Sequence, residues 1–241
     1  MLHLLIGTDW TRNRDAILAR LADDVHSRRE GRILMVPELI SHETERALCR
    51  VAGDTASRYA EVLSFTRLAR RAAEQAGSSA MECLDSGGRV VAMAAAARQL
   101  ASKLKAYAAV ETKPEFLTEL IDAVDEFKRC CITAQDLKAA AAQTEGNLAQ
   151  KLEELSLLME SYDALCSQGK RDPRDQMTWL LEQLEESDYA QTHVFYIDGF
   201  PDYTRQHLEI LEHLIQFSPS VTVSLNCDSI GSRQLAFEKA G

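Results

Sequence analysis

The stretch His193–Leu214, H-V-F-Y-I-D-G-F-P-D-Y-T-R-Q-H-L-E-I-L-E-H-L, decides the fold. Val194, Phe195, Tyr196 and Ile197 form a short apolar, β-rich run that Asp198 and Gly199 end. Leu208, Leu211, Leu214 and Ile215 then recur at helical spacing. The pattern is strand, turn, helix, with an acid at the carboxyl end of the strand. In open α/β sheets, ligands bind outside those ends. An Asp in that position can hold a metal or a phosphate-bound magnesium; alternatively it caps the following turn.

Working outward, the same unit recurs. Leu2–Ile6 reads as a buried strand, Gly7–Asn13 as a turn and Arg14–His26 as an amphipathic helix through Ile17, Leu18 and Leu21. Arg32–Val36 is a second strand, stopped by Pro37. Ser41 is placed to cap a helix running to about Val51, with Glu43 and Glu45 in its first turn. Val62–Phe65 is a third strand, followed by a helix from about Thr66 that ends near Gly77. A fifth strand, Val221–Leu225, follows Pro219. Strands alternating with helices predict an α/β fold built on a parallel sheet covered on both faces.

Between these parts the pattern changes. From Gly87 to Glu186 there is no convincing strand. Val90–Ala109 is Ala-rich and strongly helical. After Pro114 the residues Phe116, Leu117, Leu120, Ile121, Val124 and Phe127 make an apolar stripe. Thr133 with Asp136 reads as a capping box. Leu148, Leu152, Leu155, Met159, Tyr162 and Leu165 mark another helix, stopped by Gly169, and Asp172-Pro173 opens a last one with Met177, Leu180, Leu181 and Leu184 inward. The expected organisation is a first part of the sheet domain at 1–84, an all-helical insertion at 85–190 and the rest of the sheet domain at 191–241, with a new segment starting near 228.

Composition bounds the function. The 241 residues are 46% apolar, enough for a sizeable core, and no run is long and apolar enough to span a membrane. The start shows no signal-peptide pattern, and none of the six cysteines forms a C-x-x-C pair. A cytoplasmic protein with reduced thiols and no zinc or other metal site is expected. The formal net charge is −10, which argues against broad non-specific DNA binding. The acid excess is local: Glu145–Asp188 holds eleven acids against four bases. A basic site elsewhere in the chain is compatible with it.

Three groups of residues are site-like. The first turn invites comparison with a phosphate loop, which needs a second Gly, a Lys and a hydroxyl after the first Gly. After Gly7 those positions hold Arg12, Asn13 and Arg14. Either arginine can meet an anion at a helix start; the plainer reading is a turn without a nucleotide site. Asp198 stands where a nucleotide hydrolase keeps its metal-side acid, yet Gly199 follows it where helicase-type engines usually place a Glu, and Gly accepts no proton. Both halves of the engine are altered together. Finally S-F-T-R-L-A-R-R, Ser64–Arg71, brings Phe65, Arg67 and Arg70 to the end of a strand, while Phe200 and Tyr203 follow Asp198. Aromatic rings with arginine on one rim suit a single nucleic-acid strand; alternatively Phe65 packs in the core. There is no plausible nucleophile–base set for hydrolysis, so no catalytic residue is assigned.

The ordered blocks L-L-I-G, I-L-M-V-P-E, V-L-S-F-T-R-L-A-R-R, D-E-F-K-R-C-C-I (Asp125–Ile132) and V-F-Y-I-D-G-F resemble the N-terminal region of the AddB component of AddAB-type helicase–nucleases. The resemblance implies a P-loop-NTPase-like, superfamily 1 helicase-like domain with a helical insertion. It implies a motor partner of the AddA type, and work on double-strand DNA ends in recombinational repair. In this family the helicase-like part of AddB does not unwind; it holds emerging single-stranded DNA and recognises the Chi sequence. That implies DNA contacts at Glu38, Ser41, Phe65, Arg67, Arg70, Phe200 and Tyr203, with Arg70 standing where the family places a Trp. Members often keep the phosphate loop; the departures at Arg12, Asn13 and Arg14 put ATP and magnesium binding through Gly7 and Asp198 in question. The family's nuclease and its iron–sulfur cysteines lie downstream, so the chain reads as a truncated piece with no cofactor of its own. Two other readings stay open: a nucleotide-binding enzyme with an unusual loop, and a protein–protein adaptor working through its acidic helical insert.

Overall fold

The computed structural model describes residues 1–77, 82–108 and 113–229. The chain divides into two compact units, 1–79 with 177–241, and 80–176. The first is an α/β unit. Its strands are β1 (Leu2–Ile6), β2 (Arg32–Met35), β3 (Ala60–Leu63), β4 (Val194–Ile197) and β5 (Val221–Leu225). They form one sheet in the order β1-β5-β4-β2-β3, and every neighbouring pair is parallel. The register pairs Met35 with both Leu63 and Ile197, and Ile6 with Leu225. All five carboxyl ends therefore open onto one rim.

Alternation along the strands sends side chains to two cores. Leu34, Val36, Val62 and Tyr196 face α1 (Trp10–His26) and α2 (Glu38–Ala52), meeting Ile17, Leu18, Leu21 and Leu48. Ile33, Met35, Leu63, Phe195, Ile197, Val221 and Val223 form the other core. There they meet α3 (Phe65–Gln75), α8 (Gln176–Glu185), the short α9 (Tyr189–Thr192) and α10 (Arg205–Phe217). Leu180 and Leu184 of α8 belong to this core, so the last helix expected in the insertion packs with the sheet. Its apolar face, rather than its place in the helical run, decides where it goes.

The second unit holds α4 (Ser86–Gln99), α5 (Pro114–Arg129), α6 (Ala134–Ala142) and α7 (Gly146–Ser167) around a core of Met93, Leu117, Leu120, Ile121, Val124, Leu158, Met159 and Tyr162. The expected capping box is present: Thr133 accepts from the Asp136 amide and Asp136 accepts from the Thr133 amide. Two expectations shift. The Ala-rich helix ends at Gln99; of the residues beyond it, Ala109 lies outside the described part. Phe116 is an exposed member of its helix, with the Lys113 ammonium 5.4 Å from its ring centre.

This unit closes on buried charge. Arg89 pairs with Asp125 and lies 3.2 Å from Asp172, while its Nε donates to the Tyr162 hydroxyl at 3.2 Å. Lys128 reaches Asp175 at 2.5 Å, Asp163 at 2.8 Å and Asp172 at 3.3 Å. The D-E-F-K block thus supplies its Asp and Lys to a structural network. Glu154 is also buried, and its carboxylate accepts from three successive amides, Lys105, Ala106 and Tyr107. Those bonds hold its pKa below the usual glutamate value against the opposing effect of burial. No helix of the described residues is long and apolar enough to cross a membrane.

Candidate nucleic-acid interface

The rim begins at the turn after β1. The turn is short, because Asp9 caps α1 and the helix starts at Trp10 rather than Arg14. The Asp9 carboxylate accepts from the Thr11 amide at 3.0 Å and the Arg12 amide at 3.4 Å. A helix start is an anion site, and here the protein's own carboxylate occupies it. Asn13, buried beneath, donates from Nδ2 to the Gly7 carbonyl at 3.3 Å, the Leu225 carbonyl at 3.3 Å and the Asn226 Oδ1 at 3.2 Å. It fills the space over Gly7 so closely that an added Cβ there would stand 2.5 Å from its Oδ1. Arg14 turns inward to donate to Thr44 Oγ1 at 3.2 Å, whereas Arg12 is exposed, 3.5 Å from Asp9.

Asp198, the first residue past β4, is buried. Its amide donates to the Met35 carbonyl at 2.9 Å, and its carboxylate accepts from the Ser224 hydroxyl of β5. Burial pushes its pKa above the ordinary carboxylate value; the Ser224 bond, the Arg14 charge and the Gly199 amide act the other way. Gly199 has φ +78°, and an added Cβ would meet Ile40 Cδ1 at 3.0 Å. Backbone shape therefore excludes a Glu here as firmly as chemistry does. Among the described residues, no group of three or more His, Cys, Asp or Glu side chains is placed to hold a metal ion.

The central rim comes from the starts of α2 and α3. α2 begins at Glu38, with Pro37 as its cap, so Ser41 lies within its first turn. The Ser41 hydroxyl is buried and donates back to the Glu38 carbonyl at 2.9 Å. The cap of α3 is Ser64, which accepts from the Arg67 amide, so this helix starts at Phe65 and the strand before it ends at Leu63. Ser64 also bonds to the Glu38 carboxylate and ties the two helix starts together. Arg67 pairs with Glu45 at 3.2 Å, both groups being more than a third exposed. Such a surface pair is worth only about 0–1 kcal/mol, so the guanidinium can be exchanged to another anion. Arg70 is exposed on the next turn.

The aromatic residues meet. The Phe65 and Phe200 rings contact edge-on with centres 5.4 Å apart, and Phe200 continues to Tyr203 at 5.4 Å. Phe65 itself is only 5% exposed. One of its faces is covered by His207 of α10, stacked at 4.1 Å and 12° from parallel. Sequence reading missed His207; its signal was its place three residues after Thr204, where it completes a capping box. The imidazole Nδ1 accepts from the Thr204 amide at 3.4 Å, and burial lowers its pKa below the usual histidine value. Phe200 and Tyr203 are partly exposed at the mouth of this cluster. A separate cavity of about 490 Å³ between α8 and α10, lined by Glu185, Glu209, Glu212 and His213, shares no residue with the rim.

The family model described as "ADDB, N-terminal" matches residues 4–239. Among similar proteins, the AddB-type component of the ATP-dependent helicase/deoxyribonuclease of a Thermoanaerobacter strain is 33% identical over 199 residues, covering 82% of this chain and 17% of that protein. Its namesake from Anoxybacillus flavithermus is 27% identical over 236 residues, covering 94% of this chain and 20% of its own length. The chain therefore spans about a fifth of the relatives it matches. With the family model covering nearly its whole length, the chain belongs to the AddB family and corresponds to that family's N-terminal region.

Proposed function

We propose that the sheet unit is a superfamily 1 helicase-like domain without its engine, carrying the helical unit as an insertion. Its carboxyl rim holds single-stranded DNA and takes part in recognising a Chi-type sequence. The setting is a heterodimeric ATP-dependent helicase–exonuclease, with an AddA-type motor, acting on DNA ends in recombinational repair. The relatives' name, which makes each of them one component of an ATP-dependent helicase/deoxyribonuclease, supports the setting.

One observation carries the role: the rim keeps a joined Phe65–Phe200–Tyr203 ring cluster beside Arg67, while Asp9 and Asn13 fill the place of a phosphate. Base stacking on an aromatic ring contributes roughly 1–3 kcal/mol per base and tolerates any sequence. Arg67 and the exposed Arg70 supply charge for phosphates, and the Glu38 carboxylate can accept from a base amino group. A nucleotide hydrolase would instead need an open loop and a base after Asp198, and neither is present in the described residues.

The test uses the complete heterodimer. Replacing Phe200 and Arg67 together by Ala should abolish the response to the recognition sequence while leaving unwinding intact. An unchanged response would remove the assignment. Titrating the chain with magnesium-ATP in a calorimeter should give no binding heat at millimolar ligand; saturable heat would favour the nucleotide-enzyme reading.

A further inference from the structure

Resting on the DNA-holding reading, we propose that His207 is a gate: its imidazole sits on the face of Phe65 where an unpaired base stacks, and a base enters by displacing it.

The geometry is that of a base already in place. The two rings are 12° from parallel with centres 4.1 Å apart, whereas the other neighbour, Phe200, meets Phe65 at 63°. Phe200 therefore leaves the flat face to His207. Phe65, at 5% exposure, offers no platform as it stands, so some group must leave before a base can stack. His207 is the group suited to leave. It is half-buried at the rim, in the first turn of α10, while Phe65 is anchored beneath it among Leu63, Leu68 and Ile197. Among the described residues the single polar bond of its ring is the 3.4 Å one from the Thr204 amide, at the long end of the hydrogen-bond range. Rotation about the His207 side chain would break only that bond. Water would compensate, and the bond from the His207 amide to the Thr204 hydroxyl would keep the helix capped.

A gate of this kind reduces apparent affinity by the fraction of time it is open. It also favours bases that stack strongly enough to replace an imidazole, which makes it a selectivity device at this position. Purines stack over a larger area than pyrimidines, so the gate should favour them.

The test is His207→Gln in the complete heterodimer. Gln is the usual partner in a capping box, so this variant keeps the helix cap and removes the ring. Affinity for oligo-dT, read by fluorescence anisotropy, should rise about 3- to 10-fold, the gain expected if the gate is open roughly a tenth to a third of the time. A 2-aminopurine placed in the strand should be quenched more strongly, and the preference for purine over pyrimidine should shrink. Adding Phe65→Ala to His207→Gln should erase the gain. A purely structural His207 would instead change the melting temperature and leave affinity, quenching and base preference as they were, which overturns the gate. The variant pair Phe200→Ala and Arg67→Ala separates the two readings. If it leaves strand retention intact, the DNA-holding reading falls and takes the gate with it. If it lowers retention while His207→Gln gives no gain, the gate alone falls.

Discussion

Asp198 illustrates how a catalytic position becomes a structural one. Its carboxylate is buried and accepts from Ser224, and burial raises its pKa above the unfolded value. A raised folded pKa gives stability below the unfolded pKa that is lost as pH rises through the folded one. At neutral pH the charge therefore costs stability. Asp198→Asn should melt at a higher temperature than the wild type at pH 7, with the gain shrinking toward pH 3, as followed by circular dichroism. Gly199 makes the complementary prediction. Its φ of +78° and the 3.0 Å approach of Ile40 leave no room for a side chain, so Gly199→Ala should destabilise by about 1–2 kcal/mol in urea unfolding. The acid and the glycine are both visible in D-G-F. The reason for the glycine is not, because the Ile40 methyl arrives from α2, far away in sequence.

At the scale of elements, helix starts set what the rim offers. Asp9, Ser64 and Thr204 each cap a helix that begins at the rim. Asp9→Ala should cost about 1 kcal/mol of stability, as expected for loss of a cap, and should not create nucleotide binding, because Asn13 still fills the turn. Urea unfolding and a calorimetric titration of that variant check the two statements. The five strands are plain in the sequence, because short apolar β-branched runs between turn residues have few other readings. The helix starts are less so. The Asp9 cap is a standard signal, but comparison with a phosphate loop extends the turn to Asn13. Ser41 resembles a cap, yet Pro37 starts the helix earlier and leaves the serine to bond its own first turn. The Ala-rich run reads as helix to Ala109 because propensity says where a helix can form and not where its packing ends. The Phe65–His207 stack has no sequence signature; it forms only when α3 and α10 pack on the same face of the sheet.

On the scale of the molecule, two cores of different kinds coexist in one chain. The sheet unit is held by apolar layers, and the helical unit also depends on buried ions. Asp172 is fully buried between Arg89 and Lys128 and accepts from the Arg174 amide at 3.0 Å. Removing it leaves two cations in the interior, a change that typically costs about 3–5 kcal/mol. In Asp172→Ala, hydrogen exchange should therefore accelerate across α4 and α5, while the amides of β2 and β4 keep their protection. Loss of protection in the sheet as well would mean that the two cores are not separately cooperative.

The central claim is that a single DNA strand lies on the carboxyl rim of this sheet. Photo-crosslinking the complete heterodimer to single-stranded DNA carrying 5-iodouracil, followed by peptide mapping, tests it directly. Adducts are predicted at Phe200 and Tyr203, lost on competition with unmodified single strand. Adducts confined to the helical unit, with none between Gly199 and His207, would contradict it.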